Sequence, residues 1–265
     1  MPFTPSHAVV ALPFVRTPLV PAAIAIGAMT PDLPLYLRGL GPSYGFTHAP
    51  ANLVWTTLIA AALLLIWRAV LRPASVELLP AVVAGRLPAE WRMRGRDAVA
   101  ATFLPRGRWT YPLLVVLSLA LGVLSHIVWD LFTHDGRWGV EAVPLLADQW
   151  GPMPGYRWLQ HVSSAAGLLI VAVFALLWLR RRPVVAVVRR APTWLRVAWW
   201  VSLPAVLAAA WLVGLAAYGP LTAEFTAQHL AYRVLPAASG LWGAATLVLC
   251  AGLAFTDRDT PGVRP

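Results

Sequence analysis

Five long apolar runs decide what this chain can fold into. They lie at about 51–71, 111–134, 159–179, 197–218 and 234–256, and each is long enough, at roughly 20 residues, to cross a hydrocarbon core of about 30 Å as a helix. In hydrocarbon every backbone polar group needs a partner within its own segment, and runs of this length meet that demand as helices. The expected fold class is therefore all-α: an integral membrane helical bundle of five full spans. Composition agrees, since 59% of the residues are hydrophobic and only 12% charged, far from the balance of a soluble domain. A sixth apolar region fills the first 35 residues, but "LPFVRTPLVP" interrupts it with Pro13, Arg16, Pro18 and Pro21. One straight helix is excluded there, and an N-terminal helical hairpin with arms at about 6–14 and 19–29 is the expected form. The whole chain, 1–265, reads as a single membrane domain.

The formal net charge is +10, and all 21 strong bases are arginine. Beside the abundance of Ala, Pro and Gly, that bias points to a GC-rich genome rather than to a nucleic-acid surface, so nucleic acid is not an expected partner. The placement of the arginines carries more information than their number. Arg72 to Arg108 and "RRRPVVAVVRRAPTWLR" are strongly basic, whereas 30–51, 135–158 and 219–233 hold only Arg38, Arg137, Arg157 and Arg233. The basic loops belong on the cytoplasmic side of the cell inner membrane. Residues 73–110, the longest polar insert, mix apolar residues with arginines as an amphipathic helix on an anionic leaflet would, or form a flexible loop. Cys250 falls inside the last span with no second cysteine to pair with, and reads as an apolar filler. "MPFTPSHAVV" lacks the basic start of a signal peptide, so the N-terminus is expected to be retained.

With this orientation His7, Asp32, His48, His126, Asp130, His134, His161 and His229 all fall at or near the outer ends of helices. In "SHIVWDLFTHDG", His126, Asp130 and His134 recur every four residues and would line one helical stripe. Two such side chains one turn apart can point at a common ion, as in helical zinc motifs. A carboxylate in a membrane segment is also costly without compensation, by a few kcal/mol on insertion scales. Plainer roles exist for each residue. Asp130 can pair with Arg137 or Arg157, Asp32 can cap a turn before Leu33, His48 can sit in a loop whose Pro50 opens the next helix, and His161 and His229 read as interface histidines.

The combination resembles a known pattern. "PSHAVVA", "GAMTPDLPLYL", "FTHAPAN", "LGVLSHIVWDLFTHDGRWG" and "QHVSSAAGL" resemble a family of bacterial multi-pass membrane proteins known only as a domain of unknown function (4184). They are also similar in motif order to membrane-bound metal-dependent hydrolases, and distantly to all-helical zinc phospholipases C. The likeness covers roughly residues 1–180. It implies metal ligands at His7, Asp32, His48, His126 and Asp130. In two places the chain departs from the pattern: Pro34 stands where the broader group has a second aspartate, and Ala49 where it has serine. His134 is a candidate for the lost ligand.

The implied cofactor is a divalent metal, zinc first, with manganese or iron as alternatives. Asp32 or Asp130, where not a ligand, can take a proton from the attacking water. The expected function is a metal-dependent hydrolase acting on a phospholipid or lipid-linked phosphoester at the outer face, with Arg38, Arg137 and Arg157 available to a phosphate. A transporter or proton-coupled carrier would use the same residues, but nearer the bilayer middle. A haem carrier would use paired histidines, although the accompanying aspartates argue against it. A membrane protein with no site at all is the remaining reading.

Overall fold

The computed structural model describes residues 3–103 and 109–255. Five helices among them are long and apolar enough to cross a membrane: α2 (Pro50–Leu78), α3 (Tyr111–Thr133), α4 (Gly155–Arg180), α5 (Thr193–Tyr218) and α6 (Ala227–Phe255). The hairpin helix α1 (Pro21–Met29) precedes them. The described strands are a two-residue pair, Gln149–Trp150 against Met153–Pro154. This is an all-helical, multi-pass membrane protein.

The helices outrun the apolar cores that announce them. α4 begins at Gly155 rather than 159, and α6 at Ala227 rather than 234. Hydropathy marks only the hydrocarbon depth, whereas the helix continues into the interface, where Arg157, Trp158, Tyr232 and Arg233 place polar tips on apolar stems. α2 runs seven residues past 71, through a π turn at Trp67–Leu71. Pro73 follows directly; its missing N–H and its ring do not suit regular α geometry, and a widened turn lets the helix carry on. The first six residues of the insert at 73–110 therefore belong to α2. The rest is broken by Pro80 and Pro88 into short helices at Ala81–Ala84, Ala89–Arg92 and Gly95–Phe103, and positions 104–108 lie outside the described residues.

The chain forms two compact units. The first comprises Met1–Pro34, Pro42–Leu65 and Ala100–Arg181; the second comprises Leu35–Gly41, Ile66–Val99 and Arg182–Pro265. In the first unit α1 crosses α3 at glycine. A Cβ on Gly27 would overlap the Leu119 carbonyl, and one on Gly122 would overlap the Ile24 carbonyl and the Ala28 amide. Backbones meet there because neither residue has a side chain, which is how small residues bring membrane helices together. The buried stripe of α3 follows helical spacing through Ser118, Leu119, Gly122, Val123, His126, Asp130 and Thr133, while Leu117, Leu124 and Val128 face outward. The polar side chains Ser118, His126, Asp130 and Thr133 thus lie on the buried face, while the exposed face is mainly apolar, the reverse of a soluble helix.

The N-terminal arm at Thr4–Phe14 is a 3₁₀ helix rather than an α-helix. Pro13 lies inside it and its ring crowds the carbonyl of Val9, four residues back, which disfavours a regular α-helix there. The arm lies along α4, where the Phe3 N–H donates to Ser164 Oγ at 3.0 Å and Gly167 abuts the Ser6 backbone. In the second unit α5 packs on α6, and Ala74, Leu78 and Cys250 form a small buried cluster with Trp199 and Leu249. Cys250 fills space, as its sequence context suggested.

Candidate metal centre

The first unit brings five of the singled-out side chains to one buried point. α3 supplies His126 and Asp130 from adjacent turns, and the Gly27–Gly122 crossing sets His126 Nδ1 2.7 Å from the Ala28 carbonyl at the end of α1. The chain then leaves α1 through the 3₁₀ turn Thr30–Asp32. Asp32 is fully buried and does not cap that turn; its Oδ2 accepts the Thr4 hydroxyl at 2.7 Å. His48 ends the short helix Tyr44–His48, which Ser43 caps at its N-terminus and Thr47 ties to the Asp32 turn by donating to the Pro31 carbonyl at 2.7 Å. His7, on the arm, stacks over His126 with ring centroids 4.1 Å apart.

The hydrogen bonds fix the tautomers. A backbone carbonyl can only accept, so His126 Nδ1 is protonated against Ala28 O, and His48 Nδ1 against Tyr44 O at 2.9 Å. In the neutral rings both Nε2 atoms therefore carry lone pairs, and they face each other at 3.1 Å. Two lone pairs at that distance repel unless a positive charge lies between them. Two carboxylates converge on the same point. Asp130 Oδ2 is 3.5 Å from each Nε2, and Asp32 Oδ1 is 3.9 Å from His48 Nε2 and 3.7 Å from His126 Nε2. These five separations span 3.1–3.9 Å. A tetrahedron of N and O ligands at bonds of about 2.1 Å has edges of about 3.4 Å. Those five separations are close to such an edge, and each imidazole is oriented from behind by a carbonyl, the usual second support of a metal-binding histidine.

The unsatisfied atoms point the same way. His7 Nε2, Asp32 Oδ1 and Asp130 Oδ1 are buried without a hydrogen-bond partner. A buried orphan costs about 1–3 kcal/mol in the absence of a partner, and three of them cluster where the ligand atoms of His7, Asp32 and His126, and of His48, His126 and Asp130, lie within 4.8 Å of one another.

His134 stands apart from both triads. α3 ends at Thr133 and His134 is an extended C-cap, with φ −129° and ψ 138°, so the expected stripe of three stops at two. Its Nδ1 lies 3.2 Å from the Asp130 carbonyl and 3.6 Å from Asp130 Oδ2, and its Nε2 faces the Gln160 amide at 3.5 Å. Both ring nitrogens have protein partners, and the ring braces Asp130. Asp130 thereby has three histidines as charge partners in place of the considered Arg137 or Arg157. Those two arginines are exposed, and Arg38 is turned onto the Tyr232 and Arg233 carbonyls at 2.6 and 2.9 Å. Pro34 offers no donor atom. His161 is exposed, and exposed His229 takes the Thr226 N–H at 3.2 Å on Nδ1.

Three contributors have no motif to announce them: Thr4, Tyr44 and Gln160. The Tyr44 hydroxyl donates to Asp130 Oδ2 at 3.2 Å and its ring stacks on His48 at 3.7 Å. Burial, together with the nearby Asp130 and Asp32 carboxylates, pushes its phenol above the ordinary tyrosine range, which keeps it a donor. The signal was present in the spacing, since Tyr44 lies one helical turn before His48. Gln160 was overshadowed by its neighbour His161, which the helix turns outward.

Residues 1–251 match the family described as a domain of unknown function (DUF4184). The chain belongs to that family. No curated protein and no solved structure matches it. The match extends through α5 and most of α6, beyond the residues 1–180 that carry the motifs, and so takes in residues of both units.

Proposed function

We propose that this member of the family is a membrane-embedded, metal-dependent hydrolase that acts on a phospholipid or lipid-linked phosphoester at the outer face of the inner membrane. The observation that carries the reading is the pair of Nε2 lone pairs facing each other at 3.1 Å with two buried carboxylates alongside. A single proton could relieve the two histidines, but it would leave the buried Asp32 Oδ1 without a partner. A divalent cation beside the two Nε2 atoms would also meet Asp32 Oδ1 and Asp130 Oδ2. His48, His126, Asp32 and Asp130 would hold it, with His7 within reach, and zinc, manganese and iron all accept such an N₂O₂ set.

A bound ion there supplies Lewis acidity and makes hydroxide available near neutral pH. The protein's own groups do the rest. Thr4, Ala28 and the Tyr44 carbonyl hold Asp32, His126 and His48 in place, and His134 with Gln160 braces Asp130. Tyr44, half-buried at the edge of the site, donates its hydroxyl to Asp130 Oδ2 and holds that carboxylate in place. Asp32 is the candidate base when it is not engaged as a ligand. The arginine-poor loops support a site on the outer side, with 73–110 toward the cytoplasm. The test is elemental analysis of detergent-purified protein prepared without chelator, followed by release of headgroup from phosphatidylglycerol vesicles. One ion per chain and chelator-sensitive release are expected. No ion after a zinc or manganese reload, or an ion without hydrolysis of any phosphoester lipid, would overturn the reading.

A further inference from the structure

Between the N-terminal arm, α3 and α4 runs a groove of about 590 Å³, a volume within the roughly 300–1,000 Å³ of small-molecule sites. Its walls are apolar for most of their length, with Val9, Val128, Ala166 and Ile170 among them, and they turn polar at Ser6, His7 and Ser163. The arm gives the groove a direction. Phe3 is bonded to Ser164 and Ser6 abuts Gly167, so arm and α4 run alongside each other in the same sense. Ser163, Ser6 and His7 therefore mark one end, and Pro13 and Ile170 the other. His7 belongs to both places: it lines the groove, and it carries a ligand atom within 4.8 Å of those of Asp32 and His126. Around the opening, Val162, Leu169 and Val173 are exposed on α4. In a membrane span such a surface meets hydrocarbon, not water.

We infer that the groove seats one hydrocarbon chain of a phosphate-bearing lipid, with the polar end at His7 delivering the phosphate to the buried His/Asp cluster. The inference rests on the hydrolase reading for the fate of that phosphate, while the chain site itself rests on the groove. A chain lying against Val9, Val128, Ala166 and Ile170 leaves annular lipid for a fixed place, and its glycerol or isoprenoid linkage comes to rest beside Ser163 and Ser6, whose hydroxyl can donate to an ester or phosphate oxygen. Selectivity then comes from two ends of one molecule: a chain that fits the groove, and an anionic head that meets the ion.

The full-length chain is reconstituted in bilayer discs of phosphatidylglycerol and phosphatidylcholine containing a phosphatidylglycerol with a photoreactive diazirine in one acyl chain, and labelled peptides are mapped by mass spectrometry. Labelling should concentrate on 159–170, 125–133 and the arm. Ala166→Trp and Ile170→Trp, at two exposed positions that both narrow the groove, should each lower that labelling on the order of tenfold, the loss expected when a few methylene groups can no longer be buried. Their metal content should stay at the wild-type level, and Leu212→Trp on α5 should change neither readout. Labelling spread evenly over the exposed faces of all spans, and indifferent to both tryptophans, would overturn the chain site and leave the metal reading intact. Groove labelling in a wild-type protein that carries no metal would support the chain site and sink the hydrolase reading.

Discussion

Each unit of the protein buries acid, and the two do it in opposite ways. In the second unit Glu77 is almost fully enclosed; its Oε2 accepts the backbone N–H groups of Arg190 and Ala191 at 2.7 and 3.2 Å, and its Oε1 pairs with Arg94 at 3.6 Å. Both oxygens have donors, and the carboxylate works as a clamp on the segment that enters α5. In the first unit Asp32 and Asp130 each receive one hydroxyl, from Thr4 and Tyr44, and each keeps one orphaned oxygen, that of Asp32 facing the two imidazoles. Burial alone therefore does not mark a site. What separates a structural acid from a ligand is whether the protein itself satisfies every oxygen.

The comparison breaks most decisively at α3. His126→Ala and Asp130→Asn should each abolish metal binding by elemental analysis. Each should also lower the thermal midpoint of the metal-loaded protein, because folding and ion binding are coupled and the remaining carboxylates are left buried and unpaired, an effect of a few kcal/mol. Metal content equal to wild type in Asp130→Asn would remove α3 from the site.

The next effect is indirect. Gly122→Val inserts a side chain where α1 and α3 touch backbone to backbone, so the Ala28 carbonyl must retreat from His126. Losing that orienting bond should weaken metal affinity about 10–100-fold, on top of an overpacking cost of about 1–3 kcal/mol. Gly240→Val provides the matched insult in the second unit, where a Cβ would overlap the Tyr36 carbonyl. It should cost comparable stability and leave affinity unchanged; metal titrations of the two variants side by side separate positioning from general damage.

A smaller loss is expected at Tyr44. Tyr44→Phe keeps the ring on His48 and deletes only the donor to Asp130 Oδ2. At 3.2 Å this bond belongs at the weak end of the range for hydrogen bonds to charged groups, about 1.5 kcal/mol, so the metal should be retained at saturating concentration and bind roughly tenfold more weakly. An unchanged titration would place the hydroxyl outside the working site.

How far the sequence carried this picture depends on how local each signal was. The spans were legible because lipid demands length and apolarity from one continuous segment, and only their ends were missed, where interfacial residues continue the helix without the hydropathy that marks it. His126 and Asp130 were legible for the same local reason, one turn of one helix. His134 misled for that reason too: the spacing continued while the helix did not. His7, Asp32 and His48 come from three other segments, and only the resemblance in motif order suggested that they meet. Thr4 and Gln160 were illegible because nothing local distinguishes a hydroxyl or amide aimed at a carboxylate or an imidazole from one bonded to its own helix. The Gly27–Gly122 crossing, which seats His126 on Ala28, joins residues far apart in the chain and gives no local sign.

The weakest expected effect on the metal is the most useful control. Glu77→Gln removes the charge that faces Arg94 while leaving an oxygen for the Arg190 and Ala191 N–H groups. The second unit should lose about 1–3 kcal/mol, because a hydrogen-bonded ion pair becomes a neutral amide whose own N–H₂ must find an acceptor beside an arginine. No atom of Glu77 belongs to the His/Asp cluster, so bound metal per folded chain should match wild type even as the thermal midpoint falls. Asp130→Asn is the same chemical change, carboxylate to amide, at a carboxylate with an orphaned oxygen instead of a satisfied one. If both variants lost metal together, the ion would be reporting the integrity of the whole membrane protein. If only Asp130→Asn loses it, the difference between the two acids is chemical, and the cluster in the first unit holds the ion.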